Sequence, residues 1–190
     1  MTDVAVVGGG PAGLSAALFT QKNGLDTVVF DTDETWMHLA HLFNYLGIRS
    51  IGGEEFMAIA RGQAEDRGAT LNQGEEVTEV SKAGDGFEIV TEADTYDADY
   101  VVLATGRSRE LAEDLSCELT EEGEIDVNVK METSVENVYA TGAMVRGEEM
   151  EAIISAGDGA AAALNILSKE KGEPFHDFDK PGDVPTLAED

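Results

Sequence analysis

The sequence predicts an α/β fold, with a parallel sheet flanked by helices and a small antiparallel β-meander attached. Three observations carry that prediction. Apolar strands alternate with helical segments through the first part of the chain. The runs Val4–Val7, Tyr100–Ala104 and Val138–Ala140 are apolar throughout, as strands buried on both faces are. Each of these runs leads straight into a glycine turn, at Gly8, at Thr105-Gly106 and at Thr141-Gly142.

The first turn is the most informative. Gly8, Gly10 and Gly13 have the GxGxxG spacing, between a strand and an alanine-rich helix. Gly8 permits the tight turn, Gly10 lets a pyrophosphate approach the backbone, and Gly13 lets the helix pack closely on the sheet. Pro11 and Ala12 open that helix, where a missing N–H costs nothing and the free amides face phosphate. Asn23-Gly24 ends it. A second strand, Thr27–Phe30, then leads into Asp31, about 20 residues past the motif, where a carboxylate accepts from a ribose hydroxyl.

From Asp31 to Ile51 periodicity fades. Trp36, Met37, Leu39, Leu42, Phe43, Tyr45 and Leu46 form a bulky, partly helical stretch that covers either a cofactor, a partner or the first helix. A helix is predicted over Glu54–Arg67, with acids at its start, Arg67 in its last turn and Gly68 as its cap. β signals follow at Ala69–Leu71, Glu76–Val80 and Phe87–Thr91. With a third short strand near Thr95-Tyr96 these suggest an antiparallel meander. Tyr100–Ala104 returns to the parallel sheet, and Thr105-Gly106 brings backbone to the cofactor edge. Arg107–Gly123 reads as a polar connection, Glu124–Asn128 as a short alternating strand, and Met150–Ser168 as an alanine-rich helix stopped by Gly172. One domain is expected over residues 1–172. Residues 173–190, acidic and holding three of the four prolines, are expected to form a loosely ordered tail.

Composition narrows the function. The chain has 190 residues, 39 of them acidic and 12 basic, for a formal net charge of −27. Nucleic acid and anionic membrane surfaces are therefore poor partners. Hydrophobic residues make up 42%, so the acid coats a folded chain, as on halophilic proteins. With no leader after Met1 and no apolar run of ~20 residues, a cytoplasmic, non-membrane protein is expected. Cys117 is the single cysteine, so no internal disulfide and no CxxC exist. His38 and His41 share a helical spacing, but no third metal ligand is placed and no metal is assigned.

The three glycine turns together with Asp31 resemble the FAD-binding half of thioredoxin reductases, within the pyridine nucleotide-disulfide oxidoreductase superfamily. Asn44-Tyr45-Leu46-Gly47 resembles the loop near the flavin. Thr133–Gly142 resembles the approach to the last flavin turn, and Ala152–Gly159 the helix facing the flavin carbonyls. The resemblance runs over roughly Thr2–Leu167. It implies FAD as cofactor, with backbone near Val77 at the adenine and with Asn44, Gly142, Ala143, Glu151 and Ala152 around the flavin. It also implies a homodimer. Three departures stand out. Those reductases insert an NADPH domain with a CxxC between their second and third glycine turns, whereas here only the connection after Arg107 lies there. Ala143 stands where they carry Asp, and Glu151 where they commonly carry Gln.

The expected function is electron transfer between an external donor and an unidentified acceptor through FAD. A flavin-binding redox-sensing or partner-binding module is the alternative. A plain NAD domain would not need the second and third turns. No residue is assigned as catalytic acid or base. His38, His41, Tyr45 and Cys117 are the weak candidates.

Overall fold

Seven strands form one sheet in the computed structural model, which describes residues 2–180. β1 (Thr2–Val7) pairs in parallel with β2 (Thr27–Asp31) on one side and with the Ala98–Leu103 part of β8 (Thr95–Leu103) on the other. Beyond β2 lies β5 (Thr70–Gln73), also parallel. β8 forks at its far side. Its second half pairs in parallel with β9 (Val138–Ala140). Its first half pairs antiparallel with β7 (Gly86–Thr91), which pairs with β6 (Val77–Ala83). The short strand expected near Thr95-Tyr96 and the buried run after it are thus one strand. Polar residues alternate where one face is wet, and apolar residues run on where both faces are covered.

The period of two along β1 divides the core. Val4 and Val6 join Leu14, Met57, Tyr139 and Ile166 on one face. Ala5 and Val7 join Phe30, Val80, Ile89 and Leu103 on the other. The first face carries α1 (Pro11–Lys22), α2 (Gly53–Glu65) and α5 (Ala152–Lys171). α1 and α5 approach closely because Gly159 has no side chain: a Cβ there would lie 2.0 Å from the Ala12 carbonyl oxygen.

Several expected boundaries move. α2 ends at Glu65, so Arg67 lies past its last turn, and the Gly68 amide donates to the Glu65 carbonyl at positive φ. α5 runs to Lys171 and Gly172 caps it in the left-handed conformation. The connection after Arg107 holds a helix, α3 (Glu110–Asp114). Glu124–Asn128 is not a strand. Ile125 makes one isolated bridge to Leu119 and donates its amide to Met144, so its burial, not a ladder, explains the alternation. Within the bulky stretch only a 3-10 turn at Trp36–Leu39 and the two-residue strand β3 (His41–Leu42) are regular; β3 pairs with β4 (Ile51–Gly52). Part of the expected tail is held in place. Lys22 on α1 binds Asp177 and Asp179, and the Phe175 amide donates to Ser168. Residues 181–190 of that tail lie outside the described residues.

Candidate cofactor-binding site

The carboxyl ends of β1, β2, β8 and β9 open into one cleft of about 1380 Å³. That exceeds the ~300–1,000 Å³ typical of a site for a drug-sized ligand and suits an extended dinucleotide. The cleft lies where the chain leaves β1 in one direction and β8 in the other, the reversal point at which open α/β sheets bind ligands.

Among the residues singled out from sequence, Gly8, Gly10, Pro11, Ala12, Asp31, Asn44, Val77, Thr105, Gly106, Gly142, Ala143, Glu151 and Ala152 all line this cleft. Gly13 does not. A Cβ on it would lie 1.9 Å from the Gly8 carbonyl oxygen, so Gly13 lets α1 sit on its own turn. Gly8 has φ of 109°, and a Cβ there would meet the Ala104 carbonyl oxygen at 2.2 Å. The first and second glycine turns are therefore in contact. At Gly10 the nearest atom to such a Cβ is Thr35 Oγ1 at 3.7 Å, which leaves the backbone approachable.

Two helix N-termini open on the cleft without side-chain caps. α1 starts after Gly10 and α5 after Glu151. The first amides of α5, and those of α1 that follow Pro11 (which has no N–H), are unpaired donors at a positive dipole end. α4 (Ala143–Arg146) follows the third turn, and Arg146 fixes it by donating to the buried Asp158 carboxylate of α5 at 3.0 Å. The hydrogen bond to Asp158 holds the Arg146 guanidinium above its ordinary pKa.

Asp31 is buried, and its carboxylate receives four donors. The Gly9 and Asp33 amides bond Oδ1 at 3.3 and 3.0 Å, while Arg61 and Gln73 bond Oδ2 at 3.0 and 3.1 Å. Gly9 is required there, because a Cβ on it would lie 2.2 Å from Asp31 Oδ2. Sequence reading missed Gly9, Arg61 and Gln73; the middle glycine of the Gly8–Gly10 run was the one local signal. Arg61 also pairs with Asp33, and this hydrogen bond, with one from His38, pulls the Asp33 carboxyl below its ordinary pKa. His38 Nε2 lies 2.8 Å from Asp33 and His41 Nε2 lies 2.9 Å from Ser50. Among the described residues no three His, Cys, Asp or Glu side chains cluster as metal ligands.

A family model for pyridine nucleotide-disulphide oxidoreductases matches residues 2–51 and 48–160. The chain belongs to this family. An NADH oxidase of Streptococcus pyogenes is 32% identical over 140 residues, covering 73% of this chain and 28% of that protein. A bifunctional thioredoxin reductase/thioredoxin of Mycobacterium leprae is 40% identical over 111 residues, covering 56% of this chain and 24% of its own length. The chain thus spans about a third or less of the curated relatives it matches. A thioredoxin reductase structure from Gloeobacter violaceus superposes with a TM-score of 0.86 at 17% identity, covering 94% of this chain and 99% of that one. At that identity the likeness is one of fold.

Members of the pyridine nucleotide-disulphide oxidoreductase family are FAD-binding flavoproteins. The cleft fits that group. Its glycine turns leave backbone bare where a dinucleotide must approach, and its two uncapped helix ends offer donors to phosphate and carbonyl oxygens. Between β8 and β9 the chain places only α3 and its loops, and no second dinucleotide-binding unit. Among the described residues no helix is long and apolar enough to cross a membrane.

Proposed function

We propose that the chain binds FAD along this cleft and passes electrons between an external donor and an acceptor that reaches the cleft from outside. The observation that carries the reading is the pair of uncapped helix N-termini, α1 and α5, opening on one glycine-lined cleft. Bound FAD supplies the redox chemistry, and the protein supplies orientation and electrostatics. The amides after Pro11 hold the diphosphate. Asp31, fixed by Gly9, Arg61 and Gln73, faces the adenosine ribose, and the backbone at Val77 faces the adenine. Asn44, Ala143 and Ala152 bound the flavin. Ser155, whose Oγ lies 3.6 Å from a Cβ position on Gly142, offers a hydroxyl acceptor beside Ala143, which has no polar side chain.

A homodimer is part of this reading. Residues 35–53 contain no acid, although the chain carries 39. Trp36, Leu39, Phe43 and Leu46 in that stretch are exposed. Two copies of so acidic a chain meet with least repulsion on this surface. Sedimentation in high salt tests it: a dimer that persists in a Leu39→Glu/Leu46→Glu variant places the contact elsewhere, and a monomeric wild type removes it.

The test of function is an anaerobic absorbance experiment in high salt. Yellow protein that bleaches with NADH or NADPH is a working oxidoreductase. Yellow protein that bleaches only with dithionite is fed by a partner or acts as a sensor. Protein that cannot be loaded with FAD overturns the assignment.

A further inference from the structure

Arg107 is the one arginine or lysine among the described residues lining the cleft. The same cleft is lined by Asp31, Glu34, Glu75, Glu76, Glu110 and Glu151. A diphosphate ester brings two more negative charges into that field. The N-terminus of α1 offers roughly half a positive charge against them, so the helix alone leaves most of the ligand's charge unbalanced.

The position of Arg107 suits the task. It leaves the second glycine turn, whose Ala104 carbonyl packs directly on Gly8. Its guanidinium carbon lies 5.6 Å from the centroid of the Trp36 ring. The residue before Trp36, Thr35, has its Oγ1 3.7 Å from a Cβ position on Gly10. Arg107 thus lines the same cleft as Gly8, Gly9 and Gly10, the turn that opens α1. Its protein partner there is loosely held. Arg107 Nη2 donates to Glu148 Oε1 at 3.2 Å, with the two side chains 47% and 90% exposed. Exposed ion pairs of this kind contribute little, so exchanging Glu148 for a phosphate costs little.

We propose that Arg107 is a diphosphate-binding residue, moving from Glu148 onto the ligand while Trp36 keeps its guanidinium over the cleft. This rests on the reading that the cleft takes FAD. A planar guanidinium donates two parallel hydrogen bonds to phosphate oxygens, which a lysine cannot reproduce. The ordinary alternative is that Arg107 merely shields Trp36 from water.

The test uses the full chain, as wild type, Arg107→Gln and Arg107→Lys. Binding of FAD is followed by quenching of flavin fluorescence, binding of ADP and adenosine by competition against it, and the diphosphate by its phosphorus NMR resonances in the FAD-loaded protein. Arg107→Gln is expected to weaken FAD and ADP by the same factor, on the order of ten or more. It should leave adenosine unchanged and shift the bound phosphorus resonances; Arg107→Lys should recover part of the loss. Equal weakening of adenosine and ADP, or unchanged resonances with unchanged FAD affinity, overturns the assignment of Arg107 and leaves FAD binding standing. A wild type that binds neither FAD nor ADP overturns both.

Discussion

Asn44 Nδ2 donates to Glu151 Oε2 at 2.8 Å, joining the loop after β3 to the residue that precedes α5. The two are 107 positions apart in sequence and both line the cleft. The bond places a carboxylate at the positive end of a twenty-residue helix, where the first amides are otherwise uncapped. A negative charge there opposes the gain of electrons by a nearby flavin. Glu151→Gln keeps an acceptor for Asn44 and removes the charge. The flavin potential should therefore rise. A helix-end charge effect of ~0.3–1 kcal/mol corresponds to roughly 6–20 mV for a two-electron couple. Spectroelectrochemical titration reads it, and a potential that falls or stays fixed removes Glu151 from the flavin's surroundings.

Gly157 and Gly159 occupy the same helix with opposite surroundings. A Cβ on Gly159 would lie 2.0 Å from the Ala12 carbonyl oxygen and 3.0 Å from the Ala16 amide nitrogen, whereas nothing lies within 4 Å of one on Gly157. Gly157→Ala should stabilise the protein by up to ~1 kcal/mol through helix propensity. Gly159→Ala should cost about 1–3 kcal/mol, because α1 and α5 must separate. Urea unfolding in constant salt measures both. Equal effects would mean that the two helices do not pack through Gly159.

These glycines show how much the sequence disclosed. Gly8, Gly10 and Gly13 were readable because each serves a local turn with a fixed spacing. Gly159 meets Ala12 only through the tertiary fold, and no local pattern reports that. The lining of the cleft was readable for the same reason as the turns: strands that end in glycine bring their ends together once they pair. What holds Asp31 was not, because Arg61 and Gln73 come from α2 and β5 and meet it across the sheet edge. Ile125 misled in the other direction. Its alternation with Asp126 and Val127 reads as a strand, but it is buried by α4 and by a single bridge to Leu119.

Arg61 and His38 hold the Asp33 carboxyl below its ordinary pKa, mainly by hydrogen bonds. A carboxyl lowered in the folded state adds stability that is complete above its unfolded pKa of ~3.9. That contribution disappears as pH falls through the lower folded value. The difference in unfolding midpoint between wild type and Asp33→Asn should therefore be constant above pH ~5 and shrink steadily below pH ~4. A difference that grows on acidification would reverse the sign of the interaction. Since Asp33 is half exposed, high salt should reduce the difference at every pH.

Cys117 is buried, and burial pushes its thiol above the ordinary cysteine range, with a hydrogen bond to Thr133 opposing only in part. The thiolate is the nucleophile, so both access and ionisation disfavour reaction. Labelling by a disulfide reagent at pH 8 should be at least about a hundredfold slower in the folded protein than in guanidinium, since a buried thiol reacts through opening. Rapid labelling of the folded chain would make Cys117 a candidate redox group. Slow labelling has a mechanistic consequence. With one cysteine, sealed in the core, no thiol of the chain relays electrons out of the cleft. On the proposed reading, a donor and an acceptor would then each approach the cleft itself, whose lining includes the exposed Trp36 together with Asn44 and Glu151.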